Sequence, residues 1–364
     1  MIPFDRQYPL VEVNLKKLRH NIDAVVSRCN GLGIAVTGVI KGFNGHIQAA
    51  RQFDESACES LASSRLEQIA ACREAGLKGP FWCIRVPMMS EAPALVALAD
   101  GSLASEITVV RAIEAECARQ GKRHGVILMA DLGDLREGWW DKAELVEAAA
   151  EIEAMPHVEL WGVGTNLGCY GAIVPTVANM NELVAIAEAV ERRIGRRLRY
   201  ISGGATTSLP LVLNKTMPGR VNHLRIGEGI LQGKDLNDLF QLDMSFLSLD
   251  VFTVKAEVLE VKRKPSYPVG EIFVDCFGNM GHYENRGMRL RALAGIGRLD
   301  FAMTDMLLPR DKGIEVLGAS SDHLILDVGN YPGQLKPGDI LCFDTRYATM
   351  LYTTASRYVR FVAK

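Results

Sequence analysis

The chain lacks an excess of either charge: 41 Lys and Arg stand against 43 Asp and Glu in 364 residues, a formal net charge of −2. The basic footprint by which proteins hold nucleic acid or an anionic membrane surface is therefore missing. No uncharged apolar stretch reaches eighteen residues, and Met1-Ile2-Pro3-Phe4-Asp5-Arg6 contains no apolar signal core. These absences argue against a membrane span and lead us to expect a cytoplasmic protein. The eight cysteines lie far apart and never form a Cys-x-x-Cys pair, so neither a disulfide framework nor a zinc cluster organises the fold, and reduced, mostly buried thiols are expected. What is present is ordinary globular composition, 48% hydrophobic and 23% charged, in a chain long enough for a barrel-sized domain and a smaller one.

The first two thirds alternate short apolar runs with amphipathic stretches. Asn14 is placed to cap a helix over Leu15 to Cys29, and Ile34-Ala35-Val36-Thr37-Gly38-Val39-Ile40 reads as the first strand of a series. Strand-like runs follow at Glu59–Ala62, Pro80–Arg85, Gly101–Ala104, His124–Asp131, Val158–Val163, Leu198–Ile201 and Val221–Arg225, with helical patterns between them. Eight strands alternating with helices is the count of a (β/α)8 TIM-like barrel, an α/β fold whose chemistry sits at the C-terminal strand ends. Lys41, Arg85, Asp131, Asn166, Ser202 and Arg225 all fall at or just past such ends. From about Gln241 the texture becomes β-rich, with runs at Phe252–Val261, Gly270–Cys276, Gly313–Leu317, Leu324–Val328 and Asp339–Phe343 separated by turn signals. The expected division is a barrel over 8–240 and a mainly β domain over 241–364, with residues 1–7 free to pack on the latter and Leu236–Leu249 as linker.

Lys41 ends the first of these runs and is followed by Gly42-Phe43-Asn44-Gly45-His46. An amine at the mouth of a buried strand is desolvated, its pKa falls, and it becomes suited to a Schiff base with a carbonyl cofactor such as pyridoxal phosphate. The structural alternative is a lysine snorkelling out of a strand end. Ser202-Gly203-Gly204-Ala205-Thr206-Thr207-Ser208 opens a helix after the seventh run, where small residues, hydroxyls and first-turn amides suit a phosphate, or else form a plain glycine turn with a Thr cap. His223-Leu224-Arg225-Ile226-Gly227-Glu228-Gly229 offers further amides, and Arg225 either donates to a pyridine nitrogen or makes a rim ion pair.

These segments, together with Asp131-Leu132-Gly133-Asp134-Leu135-Arg136-Glu137-Gly138, Gly164-Thr165-Asn166-Leu167-Gly168-Cys169-Tyr170-Gly171 and Gly318-Ala319-Ser320-Ser321-Asp322-His323, resemble the fold-type III pyridoxal-phosphate enzymes, the alanine-racemase-like family, and within it the ornithine racemases. The resemblance spans nearly the whole chain. It implies a barrel followed by a mainly β domain, pyridoxal 5′-phosphate as cofactor, a free amino acid as substrate, and a homodimer with shared active sites. By the same resemblance Lys41 carries the cofactor and Arg225 faces its ring nitrogen. Ser202, Gly204, Thr206, Thr207, Gly227 and Glu228 belong to the phosphate turns, and Arg136 positions the second base and the substrate carboxylate. Asn166 stands where the family has a histidine against the ring. The family's opposed tyrosine is missing from Val274-Asp275-Cys276-Phe277-Gly278-Asn279, which leaves Cys276, Tyr283 and Ser321 as alternatives. Ser321 and Asp322 match a substrate-binding stretch, with Asp322 placed to read a cationic side chain. Tyr347 is favoured over Tyr352 as a phosphate contact.

The implied reaction is racemisation of ornithine or another basic or polar amino acid. A metal-dependent aldolase or dehydratase of this fold carries a late His-x-Cys pair, where this chain reads Arg346-Tyr347-Ala348-Thr349. A decarboxylase of the fold places glutamate where Arg225 stands. A non-catalytic pyridoxal-phosphate carrier is usually a lone barrel, without the long β-rich tail.

Overall fold

The computed structural model describes residues 7–364, which form two compact units: Leu15–Leu249, and residues 7–14 with Asp250–Lys364. The part of the expected domain division that falls on residues 1–6 lies outside the described residues. The first strand, β1 (Leu10–Val13), belongs to the second unit. The first unit opens with the helix Leu15–Asn30, whose buried Leu18, Ile22, Val25, Val26 and Cys29 recur at three- and four-residue spacing and form one apolar stripe.

Eight parallel strands follow: β2 (Ala35–Val39), β3 (Ser60–Ser63), β4 (Phe81–Cys83), β5 (Gly101–Ala104), β6 (His124–Met129), β7 (Val158–Gly164), β8 (Tyr200–Ser202) and β9 (His223–Ile226). They close a barrel in chain order, β9 pairing back onto β2 with Arg225 opposite Thr37. Helices join successive strands. Because both strand faces are covered, the strands read as continuous runs, and every residue of β6 is buried. Inside, Val39, Ala62, Trp82, Leu103, Ile127, Met129 and Tyr200 make the core, with Trp161 tilted against Trp82 at 5.2 Å between ring centroids. A Cβ on Gly125 would lie 1.9 Å from the Trp161 indole. The absent side chain at 125 is what lets the ring into the barrel.

The stretch expected to be a linker belongs to the barrel unit. Leu236, Met244 and Leu247 are buried, and the Asn21 amide donates to the carbonyls of Ile230 (3.0 Å) and Ser248 (2.9 Å) while accepting from the Ser248 N–H (2.8 Å). That polar tie fixes the end of the unit at Leu249, nine residues beyond the expected boundary at 240.

The second unit is built on β10 (Phe252–Pro265), joined by β11 (Met288–Ala294), β12 (Leu307–Pro309), β13 (Glu315–Ala319), β14 (Leu324–Asp327), β15 (Ile340–Thr345) and β16 (Arg360–Ala363). The sheet order is β12-β15-β10-β11-β14-β13, with β1 antiparallel to β10 and parallel to β16. Backbone pairing with these two distant segments removes β1 from the barrel to which an 8–240 division assigns it. The strand expected over Gly270–Cys276 does not form. Only an isolated bridge joins Val274 to Met280, because the Asp275 carboxylate accepts from the amides of Phe277 (2.9 Å) and Asn279 (2.8 Å) and turns the chain there.

Candidate active site at the barrel mouth

Lys41 begins a tight turn, Lys41–Phe43, directly after β2, and Asn44 in the left-handed region (φ 55°) turns the chain away. Phe43 beneath it is fully buried and stacks on Phe53. The amine is therefore held at a strand end over a packed floor. Desolvation is the largest influence on Lys41 and lowers its pKa below the ordinary lysine value; Arg136 and Arg225 act in the same direction, against Cys169 and Glu137. An amine so placed loses its proton more readily than one in water.

Arg225, on β9, is 4% exposed. It donates to Ser202 Oγ and, through Nη2, to the Thr165 carbonyl at 2.8 Å. No carboxylate is among these partners, so the rim ion pair foreseen as the alternative does not form. Burial draws its pKa down to about 10, yet the group stays a cation at neutral pH.

The two turns after β8 and β9 are tied together. Thr206 Oγ1 accepts from the Gly229 N–H at 3.0 Å, Thr207 donates to the Leu167 carbonyl at 2.8 Å, and Ser208 donates to the Gly203 carbonyl at 2.7 Å. Neither threonine caps its own turn. Gly204 has φ +107°, and a Cβ there would sit 2.7 Å from Ser208 Oγ, so the turn demands glycine. Thr206 and Thr207 open one helical turn and Glu228 opens the helix Glu228–Leu231 after Gly227; amides at such positions have no intrahelical acceptor. The Glu228 side chain leaves that cradle to accept from the Asp235 N–H through Oε1, and its Oε2 is a buried atom without a partner. Burial and then Asp235 push this carboxyl up to about 8. Near neutral pH the Glu228 side chain is thus mostly uncharged.

A second pair of loops closes the mouth. Asp134, 1% exposed, accepts from the N–H groups of Gly168 (2.9 Å), Cys169 (3.3 Å), Tyr170 (3.1 Å) and Gly171 (3.1 Å). Burial alone would raise its pKa, but these backbone donors outweigh it and hold the carboxyl below its ordinary value. The clamp fixes the loop bearing Asn166, whose Nδ2 donates to Cys169 Sγ at 3.3 Å. Arg136 is exposed and paired with Glu137 through Nε (2.6 Å) and Nη2 (2.8 Å), so one edge of its guanidinium is already engaged.

Lys41, Arg136, Asn166, Ser202, Gly204, Thr206, Thr207, Arg225, Gly227 and Glu228 thus all lie on strand ends of the barrel unit or on the loops and opening helical turns that follow them. Cys276, Tyr283, Ser321, Asp322 and Tyr347 lie in the antiparallel unit. Cys276 and Tyr283 line one cavity of about 610 Å3 there, together with Arg286, Arg289 and Arg291. Asp322 lines a different cavity of about 400 Å3 and accepts from the Ser321 hydroxyl at 2.7 Å. Tyr347 is the first residue of the helix Tyr347–Ala355, just past β15. Sequence reasoning assigned no role to Asp134 or His223. The first was visible as an Asp-x-x-Asp loop, and the second as a polar residue two positions before Arg225, on the same strand face.

A closed parallel barrel of this kind carries its chemistry at the C-terminal strand ends, where Lys41, Arg225 and the two turns lie. The chain belongs to the alanine racemase family: residues 13–234 match the family described as "Alanine racemase, N-terminal domain". It is 35% identical to the ornithine racemase of Acetoanaerobium sticklandii over 97% of this chain and 98% of that one, and 37% identical to the lysine racemase of Thermotoga maritima over 97% of each. Its fold is that of the alanine racemase from Streptomyces lavendulae, at a TM-score of 0.75, 19% identity and 98% coverage of both chains. The protein is an amino-acid racemase, an isomerase. Among the described residues no helix is long and apolar enough to cross a membrane.

Proposed function

We propose that this protein racemises a free basic amino acid, ornithine or lysine, with pyridoxal 5′-phosphate held at the barrel mouth. The observation that carries the reading is a partly buried amine, Lys41, whose pKa desolvation lowers, at the same mouth as a buried guanidinium, Arg225, bonded to neutral partners. The residues present fit this cofactor. The Gly204 turn and the opening amides of Thr206, Thr207 and Glu228 make an anion cradle, and the protonated Glu228 carboxyl adds no repulsive charge beside it. Pyridoxal phosphate, when bound, supplies an electron sink that acidifies the substrate's Cα–H.

The chain's own groups do the rest. Lys41 Nζ would hold the cofactor, and the same amine, its pKa lowered by desolvation, would take or return a proton on one face of the substrate's Cα. Arg225, fixed by Ser202 and the Thr165 carbonyl, would donate to the ring nitrogen and, as a cation that keeps its own protons, would leave that nitrogen largely unprotonated. Arg136, with one guanidinium edge taken by Glu137, would offer its other edge to the substrate carboxylate, and Asn166 and Tyr347 would help hold the cofactor's ring and phosphate. Cys276 or Tyr283 of a second copy serves the opposite face, so that the working unit is a homodimer; both already share one cavity. Asp322 grips the distal ammonium.

A screen of L-amino acids in deuterated water, reading α-deuterium incorporation and loss of optical rotation, tests the reading. Ornithine and lysine should exchange fastest. A charge-assisted contact contributes about 1.5–3 kcal/mol, so Asp322→Asn should lower kcat/KM for ornithine by roughly one to two orders of magnitude and leave alanine turnover unchanged. A wild-type preference for alanine or serine sinks the substrate assignment.

A further inference from the structure

Behind Arg225 a line of polar side chains runs into the barrel interior. Ser202 Oγ, which accepts from Arg225, lies 2.8 Å from His223 Nδ1; His223 Nε2 lies 2.8 Å from Thr37 Oγ1; and Thr37 Oγ1 lies 2.6 Å from Ser60 Oγ. Ser202, His223 and Thr37 are 0% exposed and Ser60 is 1% exposed. The His223 ring is further wedged against Trp82 and Tyr200 at 5.0 and 4.9 Å between centroids. Four polar groups in a dry core are costly unless each bond is made, and once made they hold one another in a single arrangement.

The direction of the hydrogen bonds can be worked out. A guanidinium only donates, so Ser202 Oγ accepts from it. If His223 carries its proton on Nε2, Ser202 donates to Nδ1, Nε2–H donates to Thr37 and Thr37 donates to Ser60. If the proton sits on Nδ1, every arrow reverses and the Ser202 hydroxyl hydrogen is left pointing at nothing beside a cation. Each tautomer leaves one terminal hydroxyl without a recorded acceptor, so the charge of Arg225 decides. Dipoles with their oxygen toward the cation and their hydrogen away from it are favoured, which selects Nε2–H. A charged imidazolium is excluded, since burial lowers the His223 pKa well below its ordinary value and Arg225 and Arg199 act in the same direction.

We propose that His223 is a positioning residue for Arg225, acting through Ser202: a neutral, one-directional relay from Ser202 to Ser60 that fixes the guanidinium's attitude and leaves its charge uncompensated. Where a carboxylate would draw the guanidinium's protons back into the barrel, the relay presents only a hydroxyl lone pair. Arg225 consequently aims a full positive charge at whatever lies at the mouth. That this is the cofactor's ring nitrogen rests on the function proposed above.

The test uses 15N-labelled histidine in the intact protein, with the His223 signals assigned by their loss in His223→Phe. The expected spectrum shows a bare Nδ1 and a protonated Nε2, unchanged from pH 8 to pH 5.5. An Nδ1–H tautomer, or titration in that range, overturns the proposal. Ser202→Ala should abolish the fixed tautomer and weaken pyridoxal-phosphate binding about tenfold, read by fluorescence titration. Thr37→Val should loosen the tautomer from the other end, and Thr37→Ser should restore it. Unchanged tautomer and affinity in Ser202→Ala and Thr37→Val refute the relay. Borohydride reduction and peptide mapping keep the two readings apart. A fixed Nε2–H tautomer without a pyridoxyl adduct on Lys41 overturns the functional reading, and with it the claim that the relay serves a cofactor.

Discussion

Glu228 shows how a single residue can play two parts. Its amide opens a helix at the turn after β9, while its carboxyl is withdrawn from water and left with one unpartnered oxygen. The folded protein keeps this proton to about pH 8, whereas an unfolded chain releases it near the ordinary value of 4.5. Between those pH values the unfolded state binds fewer protons, so Glu228 makes folding stability fall as pH rises through the window, by no more than about 1.4 kcal/mol per pH unit. Glu228→Gln keeps an acceptor for the Asp235 N–H and has nothing to titrate. Denaturant unfolding of the two proteins at pH 5.5 and pH 8 should show the variant gaining relative to wild type at the higher pH. Equal pH dependence would mean that Glu228 is ionised in the native protein. The sequence showed Glu228 next to a glycine turn, and that was enough to place its amide. It could not show where the carboxyl goes, because the group that turns it aside, Asp235, lies on the following helix.

At the scale of elements, the barrel was legible and the antiparallel sheet only partly so. β5 has the limits that its apolar run suggests, and the other barrel strands lie within a few residues of theirs, since a parallel strand buried on both faces reads as a continuous hydrophobic run. β1 and β16 were missed for the opposite reason: each is a four-residue strand at a chain end, and neither means anything until pairing with a distant segment is known. The false strand at Gly270–Cys276 had the right residues and no partner. Loop geometry was the least legible part, and Asp134 is the clearest case. One carboxylate gathers four consecutive amides of a loop over thirty residues away in sequence. Asp134→Ala should therefore cost about 2–4 kcal/mol and expose the 168–172 segment to proteolysis, with faster amide hydrogen exchange there than in the barrel strands. Because the folded carboxyl titrates below its ordinary 3.8, its contribution is present at neutral pH and is lost as pH falls through the folded value. A variant whose loop exchange matches wild type would show that the clamp is redundant.

For the whole molecule, the proposed reaction draws on residues of both units. In the proposed reaction the barrel unit supplies Lys41 and Arg225 and the opposed acid or base is Cys276 or Tyr283, which stand in the antiparallel unit beside an exposed apolar stretch in which Val269, Phe273 and Met280 are 90%, 77% and 74% exposed. The proposed homodimer would cover apolar surface of this kind, and a second copy whose antiparallel unit met this barrel would complete two equivalent sites by twofold symmetry. The arithmetic of mixing makes this testable. Lys41→Ala and the double variant Cys276→Ala/Tyr283→Phe should each be inactive alone. After subunit exchange at equal concentrations half of the dimers are mixed, and in each of these one site has both its lysine and its opposed group intact while the other has neither. The mixture should recover about a quarter of the activity of the same amount of wild type, rising with the time allowed for exchange. Full activity in the double variant would remove both residues from the opposed role. No recovery, in a mixture shown by mass spectrometry to contain mixed dimers, would place lysine and opposed group in the same subunit and refute the shared site.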